Sequence, residues 1–430
     1  MSTFKGKIDE FPGISIDDFE GNNLKSSIYF LSHVHTDHMR GLYQCEFLKR
    51  LANEKLTLYS HEVSTIFLRS RYPDYANCFQ YLPINLPTTL KTADKFEFNV
   101  TLLPAGHCPG SVMFLFESDK HTVLYTGDFR LKLAEFKKFK GLYTPQGTLK
   151  RIQKVHLDTT FMFKRYEQFP SREESLGAIC NLIEEWLEQD PKNIVNLDTR
   201  YRYGAEFILS KIYERFKMPV HVDQRSYDEF YKYLPNMDKC VTLSKNTRIH
   251  SYCNGYKSFC SSGETTIRKI VITAMFWKDW SKEKQINIST SNSNFCRACY
   301  STHASLQEIR DILKFIKPEQ VEANVVPEDD ICDTNEMLDL IDECIEGNTP
   351  IKRSPMKSRL SEESHSKYYD CQKKTDKVDT KGNNNVNVEV SDDDDVYDEE
   401  FHKLRSVKDK NLIKNGGEKR CLDFDLSMFD

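Results

Sequence analysis

The stretch His33-Val-His35-Thr-Asp37-His38 decides the fold, because it places three imidazoles and one carboxylate within six residues. It follows Ile28–Leu31, an apolar run typical of a buried strand. Imidazole nitrogen suits zinc, and a strand that runs into a short loop directs alternate side chains, His33 and His35, to one side. Asp37 and His38 turn to the other side. The pattern predicts a centre for two metal ions.

Two later segments supply ligands of the same kind. Val100–His107 predicts a strand that ends in a Gly-supported turn with one His, and Thr122–Asp128 repeats this design with a carboxylate. The predicted ligands are His33, His35, His107 and Asp128 for the first ion, and Asp37, His38 and Asp128 for the second. Two ions ~3.5–4 Å apart clamp the attacking and leaving oxygens of a displacement, so hydrolysis is the predicted chemistry. The alternative is a surface loop rich in His by chance, although the chain has only 12 His in 430 residues.

Longer strings surround these ligands. They are Ile14–Asp17, Tyr29–His33, Leu102–Ser111, Val112–Phe116, Leu124–Arg130 and Leu157–Phe161. Together with the metal motif they resemble the DNA-processing metallo-β-lactamase/β-CASP nucleases, over roughly residues 1–345 and most specifically in the first 165. The resemblance implies an α/β fold, a metallo-β-lactamase αββα sandwich with an inserted β-CASP α/β domain. The metal motif alone indicates only the superfamily, and the longer strings select the DNA branch.

The resemblance also assigns roles to single residues. Asp17 corresponds to a carboxylate that orients the metal loop, although an Asp at this place is also typical of a turn or helix cap. Asp158 corresponds to the acidic residue that opens the inserted domain, and His303 to the His that faces the scissile phosphate as general acid. RNA-cleaving relatives have one further metal-binding His, and the matching residue here is Val325, which favours DNA.

The implied activity is that of a zinc-dependent, structure-selective DNA endonuclease. Such an enzyme opens hairpins, trims overhangs and has 5′ exonuclease activity in double-strand-break repair by non-homologous end joining. The implied partners are DNA, a DNA-dependent protein kinase and an end-joining ligase, in the nucleus. Mg²⁺ or Mn²⁺ remains open at the second metal position. The alternatives are a 5′ exonuclease of interstrand-crosslink or telomere repair, an RNA-processing endonuclease, and a non-catalytic zinc scaffold.

A second metal site is predicted inside the inserted domain. His221, His250, Cys253 and Cys260 offer two His and two Cys, the ligand set of a closed structural zinc. The family carries a zinc site of this composition, but its local spacing differs from that of this chain. The alternative is buried His residues and ordinary thiols.

Composition sets broader limits. A chain of 430 residues exceeds the ~250–300 residues of a single core, which predicts two domains. No apolar run reaches membrane-spanning length. The 13 Cys have no regular spacing, which indicates reduced thiols in the cytosol or nucleus. The net charge of −5 neither favours nor excludes nucleic acid, so phosphate contacts must come from local clusters. The candidates are Arg130 and Lys132, with Lys137, Lys138 and Lys140 nearby, and Arg200 with Arg202.

The predicted organisation has four parts. They are a first metallo-β-lactamase part (1–157), the β-CASP domain (158–298), a returning metallo-β-lactamase part (299–348) and a disordered tail (349–430). Alternation predicts a hairpin of Ser111–Ser118 with His121–Asp128. A capping box predicts a helix over Ser171–Glu188, followed by a strand over Asn193–Leu197. Two amphipathic helices are predicted at Leu306–Phe315 and Thr334–Ile345.

Overall fold

The computed structural model describes residues 2–199, 202–251, 266–289, 294–327 and 330–345. The strands within these ranges are β1 Ile14–Ile16, β2 Ile28–Phe30, β3 Thr57–Ser60, β4 Phe79–Tyr81, β5 Thr88–Lys91, β6 Glu97–Pro104, β7 Val112–Glu117, β8 Thr122–Tyr125, β9 Lys154–Leu157, β10 Ile194–Asp198, β11 Val220–His221, β12 Val241–Thr242, β13 Ile249–Ser251, β14 Ile267–Thr273, β15 Asn287–Ser289, β16 Phe295–Cys299 and β17 Gln320–Ala323. The α-helices are α1 Cys45–Asn53, α2 Glu62–Arg71, α3 Leu133–Phe136, α4 Arg172–Gln189, α5 Glu206–Phe216, α6 Gln224–Glu229, α7 Met237–Cys240, α8 Leu306–Ile316 and α9 Ile331–Ile345.

Two sheets pack face to face around a hydrophobic core. The first is a four-stranded parallel sheet in the order β1-β2-β3-β4. The second has six strands in the order β17-β9-β8-β7-β6-β5 and mixes parallel with antiparallel pairs. Phe30 from β2 packs against Phe114 and Phe116 from β7, so the inner faces of the two sheets share one hydrophobic cluster.

The sequence of β7 explains the layers. Successive side chains of a strand point to opposite faces. Phe114 and Phe116 enter the core between the sheets, whereas Met113 and Leu115 enter a second core under α8 and α9. Helices α1 and α2 cover the outer face of the first sheet with side chains such as Phe47. The order helix, sheet, sheet, helix is the αββα sandwich of the metallo-β-lactamase fold, so the predicted fold class is confirmed.

A third sheet lies in the later part of the chain. Its seven strands have the order β12-β11-β13-β10-β14-β16-β15, and all pairs are parallel except β15 with β16. Parallel strands joined through helices are typically buried on both faces, and α4 and α5 pack against this sheet. The carboxyl ends of β10 and β16 lead into loops that reach the metal-binding residues.

The local predictions agree with these elements. The predicted hairpin is β7 with β8, and α4 begins after Ser171 with the predicted capping box to Glu174. The predicted strand and the two later helices are β10, α8 and α9, with ends that differ by one to three residues. The four-part division of the chain stays a prediction, and its tail lies outside the described residues.

Candidate metal centre

The metal loop begins where β2 ends. Residues 31–35 form a loop outside the regular elements, and Thr36–His38 form one turn of 3-10 helix. The ring centre of His33 lies 4.6 Å from that of His35 and 4.2 Å from that of His38. The loop and the turn therefore bring these three imidazoles together, and the division of the ligands between two ions stays a prediction.

Three imidazole nitrogens meet at one point. The Nδ1 atom of His35 lies 3.0 Å from the Nε2 atom of His33 and 3.0 Å from the Nε2 atom of His107. Oδ2 of Asp128 lies 3.7 Å from both of those Nε2 atoms. His107 stands on the turn after β6, and Asp128 on the loop after β8. These four side chains form a group that could hold one ion.

The tautomers make this group a cation site. His35 donates its Nε2 proton to the Tyr203 carbonyl at 2.9 Å, and His107 donates its Nδ1 proton to the Thr302 carbonyl at 3.0 Å. The Nδ1 atom of His33 lies 3.0 Å from the Ser32 hydroxyl, which donates to Asp17 and must therefore accept from His33. The converging nitrogens all present lone pairs, which repel each other without a cation. The donor set fits a metal ion.

A second group shares Asp128 with the first. Its Oδ1 atom lies 3.2 Å from the Nε2 atom of His38, and Oδ2 of Asp37 lies 3.8 Å from the same nitrogen. This Nε2 atom is buried, and no group among the described residues makes a well-formed hydrogen bond to it. Asp37 also accepts from the Ser2 backbone N–H at 3.0 Å. Asp37, His38 and Asp128 stay the predicted ligands of a second ion, and Asp128 also forms a group with Asp158 and His303 that could hold a metal ion.

Asp17 supports both groups from behind. It directly follows β1 and has a left-handed backbone with φ of 55°. Its carboxylate accepts from the backbone N–H and hydroxyl of Ser32, from the Tyr125 hydroxyl at 2.8 Å and from Nδ1 of His38 at 2.8 Å. These bonds leave Nε2 of His38 to face Asp128. This geometry suits the orienting role that the resemblance implies for Asp17.

The pKa shifts match this division. Burial, together with the neighbouring imidazoles, holds the pKa of His33 and of His107 well below the usual range. Burial also disfavours the His38 cation, but Asp128 and Asp37 outweigh it and raise the pKa of His38 well above its usual value. His33 and His107 are therefore neutral at neutral pH, the form that binds a metal. His38 is protonated, and a metal bound at its Nε2 atom would displace that proton.

His303 and Asp158 form a pair beside Asp128, and the ring centre of His303 lies 4.6 Å from that of His107. Nδ1 of His303 lies 2.8 Å from Oδ2 of Asp158, and Nε2 of His303 lies 3.9 Å from Oδ2 of Asp128. Burial disfavours the imidazolium, yet Asp158 and Asp128 raise the pKa of His303 to about 9. The pair therefore presents a protonated Nε2 to the centre at neutral pH.

The predicted DNA contact of Arg130 is wrong. Its side chain is 3% exposed. It donates to the carbonyls of Ser301 and Pro170 at 2.8 Å each and lies 3.4 Å from Glu308. These bonds tie the loop before His303 to α4 and α8, so Arg130 supports the site from within.

The other predicted basic contacts have different surroundings. Lys132 is exposed, and its Nζ lies 3.6 Å from a Glu173 carboxylate oxygen. Arg202 is half-buried, and its carbonyl accepts from Tyr231. Arg200 lies outside the described residues. The role of Lys132, Arg200 and Arg202 in binding DNA stays a prediction.

The two His of the predicted structural zinc lie side by side. His221 on β11 pairs with His250 on β13, and their Nδ1 atoms are 3.0 Å apart. Burial lowers the pKa of His250 to about 4. Cys253 and Cys260 lie outside the described residues, so the full ligand set stays a prediction.

Sequence reasoning missed several groups that shape the site. Backbone groups such as the Tyr203 carbonyl leave no signal in residue type. Glu206 is 1% exposed and accepts from the Gly204 N–H. Its one available signal is a Glu inside the Tyr203-Gly-Ala-Glu206 string, which the resemblance associates with packing beside the cleft.

Glu206 gives a testable pH dependence. Burial raises the pKa of Glu206 from the ordinary 4.5 to about 7. A carboxyl with a higher pKa in the folded state binds more protons when folded, so its stabilising contribution is lost as pH rises toward 7. We expect this group to lower the free energy of unfolding by on the order of 3 kcal/mol between pH 4.5 and 7. Glu206→Gln removes this part of the slope.

The measurement is urea unfolding of wild-type and Glu206→Gln protein in chelator at pH 5 and pH 7.5. The wild-type protein should lose more stability than the variant between the two values. Equal losses in the two proteins would show that Glu206 titrates normally in the folded state.

Comparison with known proteins defines the family. The fold and the shared ligand groups are those of a metallo-β-lactamase. A family model described as DNA repair metallo-beta-lactamase matches residues 231–329. The protein named Protein artemis of Rattus norvegicus is 38% identical over 348 residues, which cover 76% of this chain and 49% of the relative. Protein artemis of Homo sapiens is 36% identical over 350 residues, or 76% and 50%. The chain belongs to the DNA repair metallo-beta-lactamase family.

A more distant relative is named for a different activity. The 5' exonuclease Apollo of Rattus norvegicus is 28% identical over 297 residues, which cover 68% of this chain and 50% of the relative. The chain spans about half the length of these curated relatives. None of the helices within the described ranges is long and apolar enough to cross a membrane.

Proposed function

We propose that the protein is a zinc-dependent, structure-selective DNA endonuclease that opens hairpins and trims overhangs, with 5′ exonuclease activity. The observation that carries this proposal is Asp128, whose Oδ2 atom faces His33, His107 and His303 and whose Oδ1 atom faces His38. A pair of bound zinc ions would lower the pKa of a shared water and neutralise charge on a phosphodiester. Mg²⁺ or Mn²⁺ is the alternative at the second position, beside Asp37 and His38.

The chain's own residues supply the rest of the chemistry. Asp158 holds Nδ1 of His303, so the proton on Nε2 is available to the departing 3′ oxygen. The P–O3′ bond breaks as a water oxygen bonds to phosphorus from the opposite side. The products are a 5′ phosphate and a 3′ hydroxyl. Asp17 keeps His38 in the orientation that serves the second ion.

A cavity of about 540 Å³ lies beside Val34 and Met39 of the metal loop. Arg225 and Lys232 line it but pair with Glu229 and Asp228, which also line it, at 3.0 and 3.6 Å. Phosphate contacts position a nucleic acid backbone and make its binding salt-dependent. We propose Lys132, Arg200 and Arg202 as the backbone contacts.

Val325 supports DNA over RNA as the substrate. It follows β17, and its backbone N–H donates to the hydroxyl of Thr159 at 3.1 Å, next to Asp158. Its side chain offers no metal ligand at the place where RNA-cleaving relatives have a His. The relatives named Protein artemis lead us to place the protein in double-strand-break repair by non-homologous end joining, in the nucleus, with a DNA-dependent protein kinase and an end-joining ligase as partners.

Cleavage of end-labelled substrates tests this proposal. Purified protein is given DNA hairpins, DNA single strands and matched RNA, with Asp37→Asn as the control. We expect cutting near the hairpin tip that is lost in the variant. Digestion from 5′ ends alone would favour a 5′ exonuclease of crosslink or telomere repair, and cutting of RNA alone an RNA-processing enzyme. If no substrate is cut in a metal-dependent way, even after an activating kinase is added, the remaining alternative is a non-catalytic zinc scaffold.

The structural zinc is a separate proposal that rests on His221 and His250 with Cys253 and Cys260. Cys260→Ser is expected to release one zinc per chain and to lower the melting temperature, because a structural zinc contributes directly to folding. Metal analysis and thermal unfolding check this, with Cys45→Ser, an exposed free thiol, as the control. An unchanged zinc content would contradict the site.

A further inference from the structure

One peptide group connects the loop after β10 to the metal-binding residues. The carbonyl of Tyr203 accepts from Nε2 of His35 at 2.9 Å. The N–H of the same peptide unit belongs to Gly204, and it donates to both carboxylate oxygens of Glu206, at 3.1 and 2.9 Å. Because a peptide group is planar and trans, its C=O and N–H point in opposite directions. Glu206 and His35 therefore bind opposite ends of one rigid peptide group, Glu206 at its N–H and His35 at its C=O.

The carboxylate and the histidine act on each other through this plane. A hydrogen bond to the N–H polarises the peptide and strengthens its carbonyl as an acceptor. The carbonyl in turn keeps the His35 proton on Nε2, which leaves Nδ1 as the lone pair that faces His33 and His107. With the plane reversed, an N–H would face Nε2 and shift the proton to Nδ1, where it blocks metal binding.

The local backbone allows such a reversal. Gly204 has a φ of +119°, in a region that favours glycine, and glycine itself places little restriction on its peptide orientation. The Tyr203 hydroxyl donates to the Pro109 carbonyl, and its ring stacks on Phe230 with centres 4.8 Å apart. The tyrosine side chain is thus anchored, and the carboxylate of Glu206 is the group that fixes the peptide plane.

We propose that Glu206 is a positioning residue that sets the tautomer of His35, and thereby its metal affinity, through the Tyr203–Gly204 peptide group. This inference rests on the proposed metal centre. It also couples two parts of the chain, because whatever fixes the Tyr203–Gly204 peptide group strengthens metal binding, and metal binding fixes that peptide group in return.

Helix capping is the competing role for Glu206, and the chain offers a matched control. Glu206 is the first residue of α5 and accepts a backbone N–H just upstream. Glu174 in the first turn of α4 likewise accepts the Ser171 N–H, at 2.8 Å, but it contacts no metal-binding residue among the described ones. Capping alone predicts that both Glu206→Ala and Glu174→Ala lower stability and leave zinc affinity unchanged.

The test is competition of full-length protein with a chromophoric chelator for Zn²⁺, which counts the bound ions and gives their affinities. We expect Glu206→Ala to weaken one zinc by about 10- to 100-fold, the range for groups behind a metal ligand. Glu206→Gln should stay near wild type, because its amide oxygen still accepts the Gly204 N–H. Glu174→Ala should leave every zinc affinity unchanged.

A double-mutant cycle isolates the path through His35. In a His35→Ala background, Glu206→Ala should cause no further loss of zinc affinity. An unchanged affinity in Glu206→Ala, or equal losses in both backgrounds, would overturn the inference. If Glu206→Ala does not fold, Tyr203→Phe is the second variant, because it releases the same loop from Pro109. Its zinc affinity should fall, and the fall should be absent in a His35→Ala background. A wild-type protein that binds no zinc at this centre would instead refute the proposed function.

Discussion

Replacing Asp128 by asparagine is expected to abolish nuclease activity, with a fall in kcat of at least about 10³-fold. The physical reason is the shared position of this carboxylate. Oδ2 lies 3.7 Å from Nε2 of both His33 and His107, and Oδ1 lies 3.2 Å from Nε2 of His38. The amide has the same shape, but it removes the negative charge and one of the two ligand oxygens. We therefore expect the variant to lose at least one bound ion per chain.

Cleavage rates and metal content of the same preparation check this result. Asp119→Asn is the matched control, because Asp119 is exposed on the turn between β7 and β8. The control should keep full activity and metal content. An Asp128→Asn variant that cuts DNA at a rate within a few fold of wild type would rule out a bridging carboxylate.

His303→Ala is expected to lower kcat by about 10²- to 10⁴-fold, the usual contribution of a general acid. Asp158 and Asp128 raise the pKa of His303 to about 9, so the wild-type residue carries a transferable proton at neutral pH. The predicted ligands of both ions remain in the variant, so we expect its metal content to stay the same. Loss of an ion would mean that His303 holds a metal together with Asp128 and Asp158. A loss of activity with unchanged metal content would distinguish the role of His303 from that of Asp128, whose variant should lose both.

The leaving group provides the decisive readout for His303. A DNA substrate with sulfur in place of the bridging 3′ oxygen expels a thiolate, which needs no protonation. His303→Ala should cut this substrate almost as fast as wild type does, and Asp158→Asn should show the same pattern with a smaller defect. An equal defect of His303→Ala on both substrates would mean that the residue binds the phosphate or a metal and does not donate a proton.

Local patterns made much of the metal centre predictable. Each proposed ligand lies in a loop that directly follows a strand, and a ligand of this kind is specified by a few neighbouring residues. The same is true of α4, whose capping box from Ser171 to Glu174 was predicted correctly, although the helix begins one residue later than predicted, at Arg172. The fold class followed from the resemblance of these local strings to a known family.

Other parts depend on contacts between distant segments, which residue types do not reveal. Arg130 lies in a basic stretch of the sequence, but its guanidinium is buried against three distant segments, where it binds Ser301, Pro170 and Glu308. Strand β12 has two residues, too few for any periodicity. The link from Glu206 to His35 passes through backbone groups, and its physical basis appears only when the loop after β10 meets the metal loop.

X-ray diffraction at the zinc absorption edge, on crystals grown with Zn²⁺, would locate the proposed ions. We expect two anomalous peaks ~3.5–4 Å apart at the metal loop, one among His33, His35 and His107 and one beside Asp37 and His38, with Asp128 between them. A metal loop without a peak, or zinc only beside His221 and His250, would contradict the proposed two-ion centre.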